Sequence, residues 1–177
     1  TPGQQADLIL EVKPSSTSTW VQGQIILTVK LMSAVNLRQY IPPVPDTGKF
    51  DVSIESLGDA KQSQIMQDNR NYLVIEQKFA LYPQQAGKLK IEPMLAEVEA
   101  LLQSRSYFDP FNTRSKIMRA RSKPIEISVQ DMPAQFAGKN WLPASDVQFV
   151  EEWSPNPPVF KVGEPVTRTL NLFADGL

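Results

Sequence analysis

Short stretches of alternating apolar and polar residues recur along this chain, and proline or glycine interrupts them. The clearest case is residues 78–93, where an apolar stretch ends at Tyr82-Pro83, a polar turn ends at Gly87, and a second alternating stretch occupies residues 88–92. Proline cannot donate to a strand ladder and glycine tolerates positive φ. The pattern therefore predicts a β-hairpin: a strand, a turn and a second strand.

The same two-residue period extends over most of the first 130 residues. It predicts further strands at residues 7–13, 24–32, 49–56, 61–66, 72–81, 117–121 and 124–130. Residues 15–19 and 33–47 are expected to be loops, the second of them extended and polyproline-like, and residues 94–102 fit either a strand or a helical turn. About seven strands without a convincing helix predict an all-β, immunoglobulin-like antiparallel sandwich over residues 1–130.

The pattern changes after residue 130. Residues 131–144 have the proline and glycine content of a linker, and Trp141 and Leu142 are expected, with Trp153, to pack between domains. In residues 145–177 a proline, then a glycine, then an alternating strand repeat the order found near the start of the chain. We expect this segment to be the truncated start of a second, similar sandwich, within an internal piece of a longer protein. Two strands cannot bury a face alone, so pairing with the first domain, pairing with another copy, and poor order all stay open.

Composition excludes several classes of function. The sequence has no cysteine and no histidine, which removes thiol nucleophiles, disulfides, Cys/His zinc sites and the Ser-His-Asp triad. We expect no metal and no cofactor. A net charge of -1 gives no general attraction to nucleic acid. The sequence contains no apolar run near the roughly 18 residues of a membrane span.

Two sets of residues have a possible chemical role beside a plainer one. Glu97 and Glu99 would share one strand face, at a separation that glycoside hydrolysis can use, although a solvated strand face is the simpler interpretation. Trp20, Trp141 and Trp153 would form a platform for sugars, or would pack between modules.

Partner binding is the remaining possibility, and it has two candidate regions. In the first, Leu37, Tyr40 and Ile41 either lie on the sandwich or form an exposed apolar surface. The second is a run of cations without an acid, next to an aromatic segment. On an edge strand such cations prevent aggregation; alternatively they contact an acidic partner or lipid headgroups. The residues of this second region are Tyr107, Phe108, Phe111, Arg114, Lys116, Arg119, Arg121 and Lys123.

Several segments resemble the BatD family of bacterial oxygen-tolerance proteins. The most specific are Gly-Lys-Asn-Trp-Leu-Pro-Ala at residues 138–144 and Val-Gly-Glu-Pro-Val-Thr-Arg-Thr-Leu at residues 162–170. Glu-Glu-Trp-Ser-Pro at residues 151–155, the segment 80–93 and the segment 122–129 are also similar to the family. The resemblance therefore covers nearly the whole chain.

This resemblance implies tandem immunoglobulin-like domains in the periplasm, tethered to the inner membrane by an anchor outside this fragment. It implies partner membrane proteins with von Willebrand type A domains, in a stress or aerotolerance system linked to MoxR-type ATPases. It implies no enzymatic activity. The sequence thus favours a non-enzymatic interaction scaffold, with a carbohydrate-binding or adhesin-like module as the alternative.

Overall fold

The computed structural model describes residues 6–102, 114–138 and 140–176, with only the backbone of Leu102 and Arg114. These residues form an all-β fold with one 3₁₀ turn at Ala134–Phe136. The strands are β1 Leu8–Pro14, β2 Ser18–Trp20, β3 Ile25–Ser33, β4 Leu37–Tyr40, β5 Val52–Ser56, β6 Lys61–Gln67, β7 Arg70–Pro83, β8 Gly87–Ile91, β9 Leu95–Leu102, β10 Arg114–Arg121, β11 Ile125–Gln130, β12 Asp146–Ser154 and β13 Thr167–Asp175.

One layer of the fold is a five-stranded antiparallel sheet, which we call the main sheet. Its order is β1-β3-β7, and β7 is long enough to carry two partners along its other edge. β6 pairs with the first half of β7, and β5 pairs with the second half. β5 and β6 therefore follow each other along the same edge of β7.

The opposite layer consists of two three-stranded sheets, with orders β10-β9-β4 and β2-β11-β8. β8 and β9 are separated only by residues 92–94, and β10 and β11 only by residues 122–124. Pro93 and Pro124 stand in these two breaks, where proline ends a ladder. Ser122 bridges the breaks: its amide donates to the Met94 carbonyl at 2.9 Å, and its Oγ accepts from the Met94 amide at 3.0 Å. The two sheets therefore continue into each other through a bend.

The hydrophobic core lies between these layers. Leu27, Leu31 and Leu81 point inward from the main sheet, and Leu89 and Ile127 from the opposite layer, all of them fully buried. One contiguous cluster joins residues from both layers. The predicted all-β antiparallel sandwich is confirmed, whereas its immunoglobulin-like character stays a prediction.

The hairpin predicted at residues 78–93 is wrong. β7 pairs with β3 on one edge and with β6 and β5 on the other, so no edge of it remains for β8. β8 instead pairs with β11 in the opposite layer. The local alternation of apolar and polar residues correctly predicts the two strands and the turn between them. Which strand each one pairs with depends on the other strands, which occupy both edges of β7.

Two predicted loops contain short strands. β4 lies within residues 33–47 and pairs with β9, with a register shift between Leu37 and Gln39. β2 lies at the end of the predicted Ser/Thr loop and runs parallel to β11. Residues 94–102, left open between strand and helical turn, include strand β9. The described residues up to Gln130 thus contain eleven strands against about seven predicted, since the three-residue β2 and the bulged β4 have no clear alternation to detect.

β12 and β13 form a separate two-stranded antiparallel ribbon with a nine-residue register. At its base the Ser145 amide donates to the Asp175 carbonyl at 2.8 Å, and the Gln24 amide of the sandwich donates to the Gly176 carbonyl at 3.1 Å. Phe149, Leu172 and Phe173 remain about 60% exposed. The proposed domain limits stay predictions.

Candidate functional site

The outer face of the β10-β9-β4 sheet carries Arg119 and Arg121, two of the residues that the sequence singles out for partner binding, together with Glu97 and Glu99. Along β9, the buried residues Ala96, Val98 and Ala100 face the core, so Glu97 and Glu99 face outward. The register places Arg119 opposite Glu97 and Ile117 opposite Glu99. We call this the outer face.

The centre of the outer face is apolar. Ile117 is 59% exposed and Leu95 is 46% exposed, and Ile41, which directly follows β4, is 71% exposed. They line an open groove of about 700 Å³ together with Tyr40 and Gln39. Exposed apolar residues are ordinary one at a time, but a group of them around a groove marks an interaction site.

Ion pairs surround this apolar centre. The Arg119 Nε donates to the Glu97 carboxylate at 2.8 Å, and the Arg38 Nη1 donates to the Glu99 carboxylate at 3.2 Å. A hydrogen bond from the Ser115 hydroxyl lowers the pKa of Glu99, and the positive charge of Arg38 lowers it further, against the opposing effect of burial. A general acid in glycoside hydrolysis needs a raised pKa. The lowered pKa therefore argues against Glu99 as the general acid, while an ionised carboxylate is what the second residue of such a pair needs.

The cation run does not form one patch. Arg119 shares the outer face with the two glutamates, whereas Lys116 is on the other side of β10, and only the backbone of Arg114 is described. Arg121 is exposed opposite Leu95. The sequence run holds no acid, but the neighbouring strand supplies two. Acidic residues that neutralise the cations of one strand can lie on a neighbouring strand that is distant in sequence. The sequence alone therefore does not reveal them.

Leu37 and Tyr40 are partly buried against the main core. Burial raises the pKa of Tyr40 to about 12. The sequence allows this segment either to pack on the sandwich or to form an exposed apolar surface. Leu37 and Tyr40 pack on the sandwich, whereas Ile41 is exposed. Tyr107, Phe108 and Phe111 lie outside the described residues.

The tryptophans occupy two separate places. Trp141 of the linker packs edge-to-face on Trp20 at 5.7 Å and is tilted against Phe136 at 5.0 Å. Trp153 packs on Phe160 at 5.8 Å, and Arg168 lies 5.4 Å from its ring centre. Trp20 and Trp141 thus connect the linker to the sandwich. The ring contacts of Trp153 lie within residues 146–175. Leu142 is 43% exposed.

No group of three acidic side chains close enough to hold a metal ion occurs in the described parts of the chain. The same parts contain no helix long and apolar enough to span a membrane. Comparison with known proteins found no matching family model, no matching curated protein and no matching solved structure.

Proposed function

We propose that this chain is a non-enzymatic, extracytoplasmic protein-interaction module that binds its partner through the outer face. The observation that carries this proposal is the exposed apolar group Ile41, Leu95 and Ile117, surrounded by the ion pairs of Glu97 and Glu99. Protein interfaces commonly combine an apolar centre with a polar rim.

Strand order supports an immunoglobulin-like identity for the module. β1, β3, β7 and β5 form one layer in that order, facing β4, β9 and β10 in the other. With the short gap between β8 and β9 and that between β10 and β11 counted as bends, and with β2 and β6 as additional strands, this order agrees with the one expected for a seven-stranded immunoglobulin-type sandwich.

We propose further that the chain is an ectodomain piece of a BatD-type protein. The similar segments at residues 138–144 and 162–170 support this, and so does the presence of a second pair of strands after a linker. Its partners would be membrane proteins with von Willebrand type A domains, and it would lie in the periplasm, tethered to the inner membrane by an anchor elsewhere in the protein.

The absence of histidine and cysteine from the sequence supports a non-enzymatic role, because it removes thiol nucleophiles and the Ser-His-Asp triad. Both glutamates also have arginine partners, an arrangement that suits a stable charged rim.

The test is crosslinking to a purified von Willebrand type A domain from the same organism, read by mass spectrometry. We expect Ile117→Glu to abolish the crosslink because it places an unpaired charge at the centre of the apolar group. Met66→Glu is the matched control, since Met66 is 72% exposed on β6 of the main sheet. Equal crosslinking by both variants, each still folded by circular dichroism, would exclude the outer face.

A further inference from the structure

A second open cavity, of about 670 Å³, lies where the sandwich meets the base of the β12–β13 ribbon. One wall is the polar connection between β1 and β3, from Ser15 to Trp20, and Gln130 adds the end of β11. The other wall is formed by residues 143–145 and Gly176. Its volume is within the range of small-ligand sites, about 300–1,000 Å³.

Among the residues that the structure describes, none that lines this cavity has an ionisable side chain. Hydroxyl and amide groups predominate, from Ser16, Ser18, Thr19 and Gln130. The indole of Trp20, 37% exposed, adds an aromatic wall. A charged ligand would lose its hydration here without a compensating partner, so the lining selects for a neutral polar molecule.

Hydrogen bonds to the backbone hold two of the lining hydroxyls, those of Ser15 and Ser16, in place before any ligand arrives. The Ser16 Oγ donates to the Ser18 carbonyl at 2.7 Å, and the Ser15 Oγ accepts from the Ile26 amide at 3.0 Å. A hydroxyl has one donor and two acceptor positions, so each group keeps bonding capacity beyond these contacts. Fixed side chains lower the entropy cost of binding.

We propose that this cavity binds a neutral oligosaccharide. Every sugar hydroxyl both donates and accepts, which matches serine, threonine and glutamine side chains, and the apolar face of a sugar ring packs against an indole such as that of Trp20. The cavity shares no lining residue with the groove of the outer face, so this inference does not depend on the proposed protein interaction.

The test is a screen of the full chain against immobilised neutral and anionic glycans, followed by calorimetric titration of the best neutral oligosaccharide. We expect saturable binding that Ser18→Ala together with Gln130→Ala weakens by about tenfold or more, as the loss of two hydrogen bonds implies. Both residues are exposed, and no side-chain hydrogen bond of either supports the fold in the described chain. Trp20→Ala should weaken binding too, but it also disturbs Trp141 and is the less clean variant.

The matched control is Trp153→Phe, whose ring contacts lie within the ribbon and which should keep full affinity. Ile117→Glu should bind the glycan normally even if it loses the protein partner. The proposal is overturned if no neutral glycan binds saturably, if anionic glycans bind best, or if the Ser18/Gln130 double variant binds as well as the parent. Preferential capture of a peptide at this cavity would overturn it as well.

Discussion

Gln77 is a buried polar residue that stabilises the edge of the main sheet. Its register partner is the buried core residue Val29, so its side chain points inward. The Nε2 group donates to the Ser56 hydroxyl at 3.0 Å and to the Gly58 carbonyl at 2.9 Å, and it lies 3.1 Å from the Lys78 carbonyl. These contacts fix the turn between β5 and β6, where β7 changes its edge partner.

Replacing Gln77 with glutamate tests this role. The variant keeps the shape but places an anionic oxygen against carbonyl and hydroxyl acceptors in a buried site, so we expect a loss of about 2–4 kcal/mol of unfolding free energy at pH 7. Folding then favours the protonated carboxyl and raises its pKa above the unfolded value of about 4.3. The loss should therefore shrink as the pH falls toward 4 and grow as the pH rises.

Urea denaturation at several pH values measures this dependence. Gln77→Met, which carries no charge, is the control and should show no such pH dependence. A Gln77→Glu variant whose deficit is the same at pH 4.5 and pH 7 would contradict the buried contact.

Gly23 leaves no space for a side chain. A Cβ at this position would lie 2.5 Å from the Thr19 hydroxyl and 3.1 Å from the Trp20 carbonyl. We expect Gly23→Ala to destabilise the protein by about 1–3 kcal/mol because both the Thr19 hydroxyl and the Trp20 carbonyl must shift to admit the methyl group. Combining it with Thr19→Ala should restore part of that loss. Thermal melts of the two single variants and the double variant measure the coupling, and strict additivity would refute the steric cause.

Among the elements, the bend between the two sheets of the opposite layer depends on Ser122. The Ser122 hydroxyl is the acceptor for the buried Met94 amide. Ser122→Ala leaves that amide without its partner, and we expect a loss of about 1–3 kcal/mol. Ser128→Ala, on an exposed position of β11, is the control and should stay within about 0.5 kcal/mol. Equal denaturation midpoints for the two variants would show that the bend does not need this hydroxyl.

Alternation was sufficient to predict the long strands but not their pairing. β3 and β7 have a buried apolar residue at nearly every second position, so their sequences reveal both the strand and its inner face. The partner of β8 depends on which strand edges the rest of the fold leaves free, and the sequence around β8 does not reveal it. Pro93 and Pro124 indicate in the sequence that a strand ends. The sequence does not indicate that the strands before and after each proline lie in the same layer, which only the fold shows.

The candidate site was predictable in part for a related reason. The sequence suggests partner binding for Arg119 and a possible catalytic role for Glu97. Only the register of β9 and β10 shows that the two side chains form an ion pair. In the sequence, Ile117 does not differ from the other apolar residues of an alternating strand. Its exposure follows from its register with Glu99, which places its side chain on the outer face of the sheet.

At the scale of the whole molecule, the main hydrophobic core is contained within residues 8–129 of the described chain. We expect a protein ending at residue 144 to unfold cooperatively, within a few degrees of the full chain's melting temperature, since it keeps every residue of that core. Ending the chain at residue 124 removes Ile127 and Val129 and should abolish the transition. Calorimetry distinguishes the cases, and the loss of cooperative unfolding in the protein that ends at residue 144 would contradict the predicted domain limit.

The ribbon described above has its two ends side by side, with Asp146 paired to Asp175 next to the sandwich. Its interstrand hydrogen bonds run perpendicular to the strands. Tension applied between these two ends therefore loads one pair at a time, and the ribbon opens like a zipper toward the pair Ser154 and Thr167. Residues 146–175 would then extend to about 100 Å. Under such a load the ribbon would lengthen through the separation of β12 from β13 alone.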